Sequence, residues 1–92
     1  MKRYTVYIEP EAGRDLQKIY DFIVRNDSSV KAERFIRKLQ HAINGLSYMP
    51  ERFRKSFYIE EEGVHDMVIR GYTICYYVGE ESVHILTVFR QK

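Results

Sequence analysis

The sequence predicts an α+β fold in which an N-terminal strand precedes an antiparallel two-helix hairpin packed on an antiparallel sheet of about four strands (β-α-α-β-β-β). Three observations carry that prediction. Apolar residues recur at steps of three and four through residues 10–46, they alternate with a period of two from residue 56 onward, and the links between the later segments are short. The 92 residues form one domain, 1–92. A chain of that length buries roughly 60 to 70% of its unfolded surface, enough for a hydrophobic core.

Arg3 to Glu9 alternates Tyr4, Val6 and Ile8 with Arg3, Thr5, Tyr7 and Glu9, a strand pattern rich in β-formers. Pro10 presets the backbone angle of a first helical turn, with Glu9 and Glu11 at its positive end. Ala12, Leu16, Ile19, Tyr20 and Ile23 then mark one face of a helix. Asn26-Asp27-Ser28-Ser29 breaks the pattern, and Ser28 or Ser29 supplies an oxygen to cap a second helix. Its apolar face is Ala32, Phe35, Ile36, Leu39, Ala42, Ile43 and Leu46, and Gly45 with Pro50 ends it. So short a connection leaves the two helices antiparallel.

Four further strands are expected at Ser56 to Ile59, Val64 to Arg70, Tyr72 to Val78 and Ser82 to Phe89. They are separated by Glu60-Glu61-Glu62-Gly63, by Gly71 and by Gly79-Glu80-Glu81. Tyr72, Ile74 and Tyr76 are expected on one face and Thr73, Cys75 and Tyr77 on the other; Val83, Ile85, Thr87 and Phe89 should oppose His84, Leu86 and Val88.

Composition narrows the function. Hydrophobic residues at 45% and charged residues at 30% exclude a disordered or low-complexity chain. No apolar run approaches the ~18 residues of a membrane span, and the N-terminus lacks the apolar stretch of a secretory signal, so a cytoplasmic location is expected. The net charge of +2 is divided between halves with nine cations against six acids and six against seven, so neither half is a polybasic tail. Cys75 is single and forms no internal disulfide, and in a Tyr-rich strand it reads as a small core residue.

No cofactor or metal is expected. His41, His65 and His84 fall on separate elements without metal spacing, and no nucleophile elbow, phosphate loop or dinucleotide fingerprint occurs. Glu60, Glu61 and Glu62 read as a solvated turn. The remaining polar signal is cationic: Arg52, Arg54 and Lys55 in the loop entering the sheet, Arg70 at a turn, and Arg90 and Lys92 at the end of the last strand. If they converge at one sheet end they form a phosphate- or target-binding patch. Lys2, Arg3, Arg34, Arg37 and Lys38 form a second group that reads as a solvated face.

Three blocks taken together resemble a known family. They are Tyr4-x-Val6-x-Ile8-x-Pro10-Glu11-Ala12-x-x-Asp15-Leu16-x-x-Ile19-Tyr20-Asp21-x-Ile23, Ala32-x-x-Phe35-Ile36-x-x-Leu39-x-x-Ala42-Ile43-x-x-Leu46 with Met49-Pro50-Glu51-Arg52, and Gly63-Val64-His65-Asp66-Met67-Val68-Ile69-x-Gly71-Tyr72-x-Ile74-x-Tyr76-x-Val78 followed by Val83-x-Ile85-Leu86-x-Val88-Phe89. In order and spacing along the whole chain they resemble the RelE/ParE superfamily of type II toxin-antitoxin toxins, and the regular helical hairpin is closer to the ParE branch.

The resemblance implies a toxin that inhibits DNA gyrase and is held inactive by a cognate antitoxin, with Tyr20, Phe35 and Leu39 as candidate antitoxin contacts. Its alternative is a ribosome-dependent endonuclease that cuts mRNA, for which Glu51 would be the base and Arg54, Arg70 and Arg90 the phosphate clamps. A third reading is a degenerate member that keeps only antitoxin binding. Enzyme activity is left open and disfavoured, because cutting RNA needs a proton acceptor and a donor. Arg90 stands where nuclease members often carry a His, and arginine stays protonated.

Overall fold

The computed structural model describes residues 2–90. The element order is β1 (Thr5–Ile8), α1 (Pro10–Asn26), α2 (Ser29–Asn44), two short 3-10 turns (Gly45–Ser47 and Pro50–Arg52), β2 (Val64–Ile69), β3 (Tyr72–Val78) and β4 (Ser82–Arg90). The strands form one sheet in the order β1-β4-β3-β2. The α+β class and the order of elements are those expected.

Pro10 occupies the first turn of α1, as the fixed proline angle favours, but Glu9 makes no side-chain cap because its carboxylate is used elsewhere. Only Asp27 and Ser28 separate the helices. Ser28 Oγ accepts the Lys31 N–H at 3.1 Å, the capping bond that a serine before a helix provides. Gly45 stays right-handed (φ −64°), so the chain tightens into a 3-10 turn and does not reverse there.

Three details of the sheet differ from expectation. β1 pairs with β4 in parallel, Thr5 opposite Ser82 through Ile8 opposite Ile85, so the sheet is mixed. The hairpin carries the chain out and back beside its own start, where Ser47 C=O accepts the Tyr4 N–H at 2.8 Å, and β1 is left to close the far edge against β4. The Ser56–Ile59 segment is also not a strand. Lys55 bridges His65 and Ser56 N–H reaches Val64 C=O, but Ser56 Oγ then accepts the N–H groups of Tyr58 and Ile59 and bends the chain off the sheet. A serine oxygen that satisfies local amides competes with ladder pairing in this way.

The strict alternation expected in β3 and β4 also fails at one point. A register shift at Cys75/Tyr76 leaves Leu86 without an opposite residue, since Cys75 faces Thr87 while Tyr76 faces Ile85. This bulge puts Ile74, Cys75 and Tyr76 all out of solvent and makes Val83, Ile85 and Val88, not Thr87, the buried residues of β4. Where β1 has ended, Asp15 of α1 takes its place against β4, accepting Val88 N–H at 3.0 Å and Thr87 Oγ1 at 2.8 Å. The core joins Ala12, Leu16 and Ile19 of α1 to Leu39 and Ile43 of α2, and both to Met67, Ile74, Ile85 and Val88 of the sheet.

Candidate functional site

The loop between the helices and the sheet holds most of the cations singled out in the sequence, and the structure ties two of them down. The Arg52 guanidinium donates to the carbonyl oxygens of Tyr48 and Met49 and lies 4.7 Å from the Phe53 ring centre. Arg54 lies 4.0 Å over the Phe57 ring and 3.5 Å from the Asp66 carboxylate. Asp66 is 1% exposed; it also accepts Phe57 N–H at 2.9 Å and the Cys75 thiol at 3.2 Å. A buried carboxylate persists when its oxygens are filled, and here backbone, thiol and guanidinium fill them.

Lys55 and Glu51 border a hollow of about 340 Å³ whose other lining includes Glu60, Glu61, Glu62 and His65. Four carboxylates beside one lysine and one histidine repel a phosphate. The acidic turn is thus part of a surface feature, and Glu51 stands among like charges and not within an arginine clamp.

Burial pushes the Cys75 thiol up to about 12, and the Asp66 carboxylate beside it adds to the shift. Burial also raises the Tyr76 phenol, whose O–H donates to Pro50 C=O at 2.6 Å. Above about pH 9 the unfolded thiol gives up its proton while the native one keeps it, so the unfolded chain binds fewer protons and stability must fall as pH rises. From pH 9 to 10 the expected slope is on the order of 1 kcal/mol per pH unit. Urea unfolding at pH 8, 9 and 10 checks it: the slope should be clearly steeper in the wild type than in Cys75→Ala, which keeps only the smaller contribution of the raised Tyr76 phenol. Equal slopes in the two proteins would refute the assignment.

Arg70 and Arg90 do share one end of the sheet, since Tyr72, two residues after Arg70, faces Arg90 in the β3–β4 register. Arg70 does not face the loop arginines, however. It borders a groove of about 540 Å³ whose other wall is α2, with Arg34, Arg37, Lys38 and His41. The supposed solvated helix face and one member of the first basic group therefore make a single cationic surface. Sequence distance hid it, because helix and turn are joined only by the fold. Lys92 lies outside the described residues.

Of the three apolar candidates, Leu39 has no exposed surface and belongs to the core. Phe35 is half-buried, 5.5 Å from the Tyr72 ring. Tyr20 borders a shallow hollow between the helices with Ile8, Leu16 and Ile36.

One constellation leaves no local signal in the sequence, because the β1–β4 pairing assembles it. His84 Nδ1 lies 2.7 Å from Glu9 Oε2 and its Nε2 lies 3.0 Å from Ser82 Oγ, with the Tyr7 ring stacked 5.3 Å away. A Ser–His–carboxylate chain has the order required to activate a nucleophile, but the exposed Glu80 and Glu81 immediately before Ser82 add negative charge to this strand end, which disfavours a developing oxyanion. We read it as a clamp that ties the end of β1 to β4. His65 is structural as well: it stacks on Tyr76 at 5.7 Å and its Nδ1 is 3.0 Å from Phe53 C=O. Among the described residues, no helix is long and apolar enough to cross a membrane.

Over residues 6–92 the sequence matches the family described as the ParE toxin of type II toxin-antitoxin systems, parDE. No curated protein matches it significantly. Two solved structures are similar. One is the chromosomal ParDE toxin-antitoxin system from P. aeruginosa, with a TM-score of 0.84, 18% identity and 98% of each chain covered. The other is the RelBE2 toxin-antitoxin complex from Mycobacterium tuberculosis, with a TM-score of 0.71, 26% identity, and 99% of this chain and 94% of that one covered.

Proposed function

The chain belongs to the ParE toxin family of type II toxin-antitoxin systems, and on that premise we propose that it arrests DNA gyrase without catalysing a reaction itself. One observation favours this over ribosome-dependent cleavage of mRNA. Cutting a phosphodiester at its 2′-hydroxyl requires a base and cations gathered around one point. Here Arg54 is held against buried Asp66, Arg70 faces α2, and Glu51 stands in an acidic hollow. Of the three arginines named for that chemistry, Arg70 and Arg90 share one end of the sheet while Arg54 is held by Asp66, and Glu51 is with neither. Arg90, fixed in its charge, supplies no base. The reading is tested on purified gyrase, whose supercoiling of relaxed plasmid the free protein should stop.

The partner proposed to silence it is a cognate antitoxin, a reading supported by the toxin-antitoxin assemblies among its structural relatives. An amphipathic helix of the antitoxin suits the hollow between α1 and α2, where Tyr20 and Ile36 are accessible; the neighbouring Phe35 packs instead toward Tyr72 of the sheet. Leu39 lies beneath as support. Arg52, Arg54, Lys55, Arg70, Arg90 and Lys92 remain the candidate target-facing cations; among the described residues Arg54 is the one paired with a carboxylate, and Arg52 is held by backbone carbonyls.

A further inference from the structure

Four residues of α2, Arg34, Arg37, Lys38 and His41, stand at positions i, i+3, i+4 and i+7 and so occupy one stripe of the helix. At a rise of about 1.5 Å per residue the stripe is roughly 10 Å long. Arg70 faces it across the groove, Ala42 and Ile69 complete the lining, and no carboxylate is present. Among the described residues none of Arg34, Arg37, Lys38 and Arg70 is paired with an acid. Like charges at these spacings destabilise a helix by a few tenths of a kcal/mol per pair, so the stripe opposes local stability.

Arg70 does so a second time. It adopts φ 52° and Gly71 φ 82°, the paired left-handed conformation of a two-residue hairpin, in which the first position favours Asn, Asp or Gly. Any side chain with a Cβ is strained there, and strain of this kind concentrates at functional positions. The cationic stripe and the strained arginine come from different elements and meet at one groove.

We propose that this groove binds the phosphate backbone of duplex DNA. Three guanidinium groups present the planar donor pairs that fit phosphate oxygens. Successive phosphates of one strand wind around the duplex and so lie further apart than their axial rise of roughly 3.4 Å; the stripe reaches about two of them, and Arg70 across the groove a third. The choice of DNA over RNA rests on the gyrase reading, because gyrase holds a DNA duplex and the ribosome presents mRNA. On this inference the toxin grips the DNA of its target complex directly.

Fluorescence anisotropy of a labelled 20-base-pair duplex, titrated with the free toxin over a range of salt concentrations, tests the proposal. With about three phosphates neutralised, log K should fall against log salt with a slope of about −3. The Arg34→Glu/Arg37→Glu double variant should bind on the order of 100-fold more weakly at low salt and lower the slope by about 2. Arg14→Glu/Lys18→Glu, an equal charge change on exposed residues of α1, should retain most of the affinity. Arg70→Asn should be at least as stable as wild type yet bind DNA more weakly, a split that a merely structural arginine would not produce.

Equal losses in the two double variants would overturn the assignment to the groove. A salt slope near zero, tighter binding of single-stranded RNA, or displacement of DNA by a Glu-Leu repeat peptide bound more tightly at the groove would overturn the choice of ligand. A toxin that poisons gyrase but does not bind the duplex refutes this inference alone. One that binds the duplex as described and leaves gyrase unaffected refutes the gyrase reading alone.

Discussion

Asp66→Ala is expected to lower the stability of the free toxin by about 2–4 kcal/mol, because the substitution strands several partners at once. The carboxylate lies under the loop that follows α2 and collects the Phe57 amide, the Cys75 thiol and the Arg54 guanidinium. Removing it leaves the buried thiol unsatisfied and the part-buried amide without its acceptor. The guanidinium is partly exposed and can rehydrate, which keeps the loss below that for a fully buried pair. Asp66→Asn should cost less, since the amide oxygen can still accept one of these bonds. Urea unfolding measures both; a loss under about 0.5 kcal/mol for Asp66→Ala would show that the loop is held by something else.

Leu39→Ala should cost about 3 kcal/mol, within the range for emptying a closed core site. Leu39 has no exposed surface and sits between the helical hairpin and the sheet. Its effect on antitoxin binding should be no greater than the fraction of unfolded toxin accounts for. Tyr20→Ala should behave oppositely. The ring borders the open hollow between the helices, so its loss should leave stability within about 1 kcal/mol but weaken the antitoxin at least about tenfold, as truncating an aromatic anchor does. Calorimetric titration of each variant with antitoxin, alongside its unfolding curve, separates the two effects. If Tyr20→Ala bound as wild type, the antitoxin would have to lie elsewhere.

The helices were readable because their information is local. Steps of three and four from Ala12 to Ile19 and from Ala32 to Ile43 mark the buried faces, and Ser28 announces the second helix by the bond it makes. The turn at Arg70-Gly71 was equally readable from its glycine. Other features depend on partners distant in sequence. The bulge at Leu86 shifts the alternation of β4 and is stabilised by Asp15, which no pattern within the strand reveals. Ser56 to Ile59 has strand composition, but the Ser56 hydroxyl turns the chain aside.

Charges were the hardest to place. In the sequence Arg54 and Arg70 look alike, two arginines bordering strands. In the fold one is neutralised by a carboxylate that strand alternation gives no reason to bury, while the other joins a helix whose cations look solvent-facing in the sequence. His84 found Glu9 only because β1 pairs with β4. A sequence lists the charged groups, whereas their pairing depends on topology, and pairing determines which of them remain free to meet a target.

The central claim, that this toxin acts on gyrase and not as a nuclease, is tested most directly with purified gyrase, relaxed plasmid and the purified free protein. The account predicts that supercoiling stops, that cleaved DNA accumulates in gyrase complexes, and that prior addition of the antitoxin restores supercoiling. Undiminished supercoiling by a preparation that still cuts mRNA on translating ribosomes would contradict it.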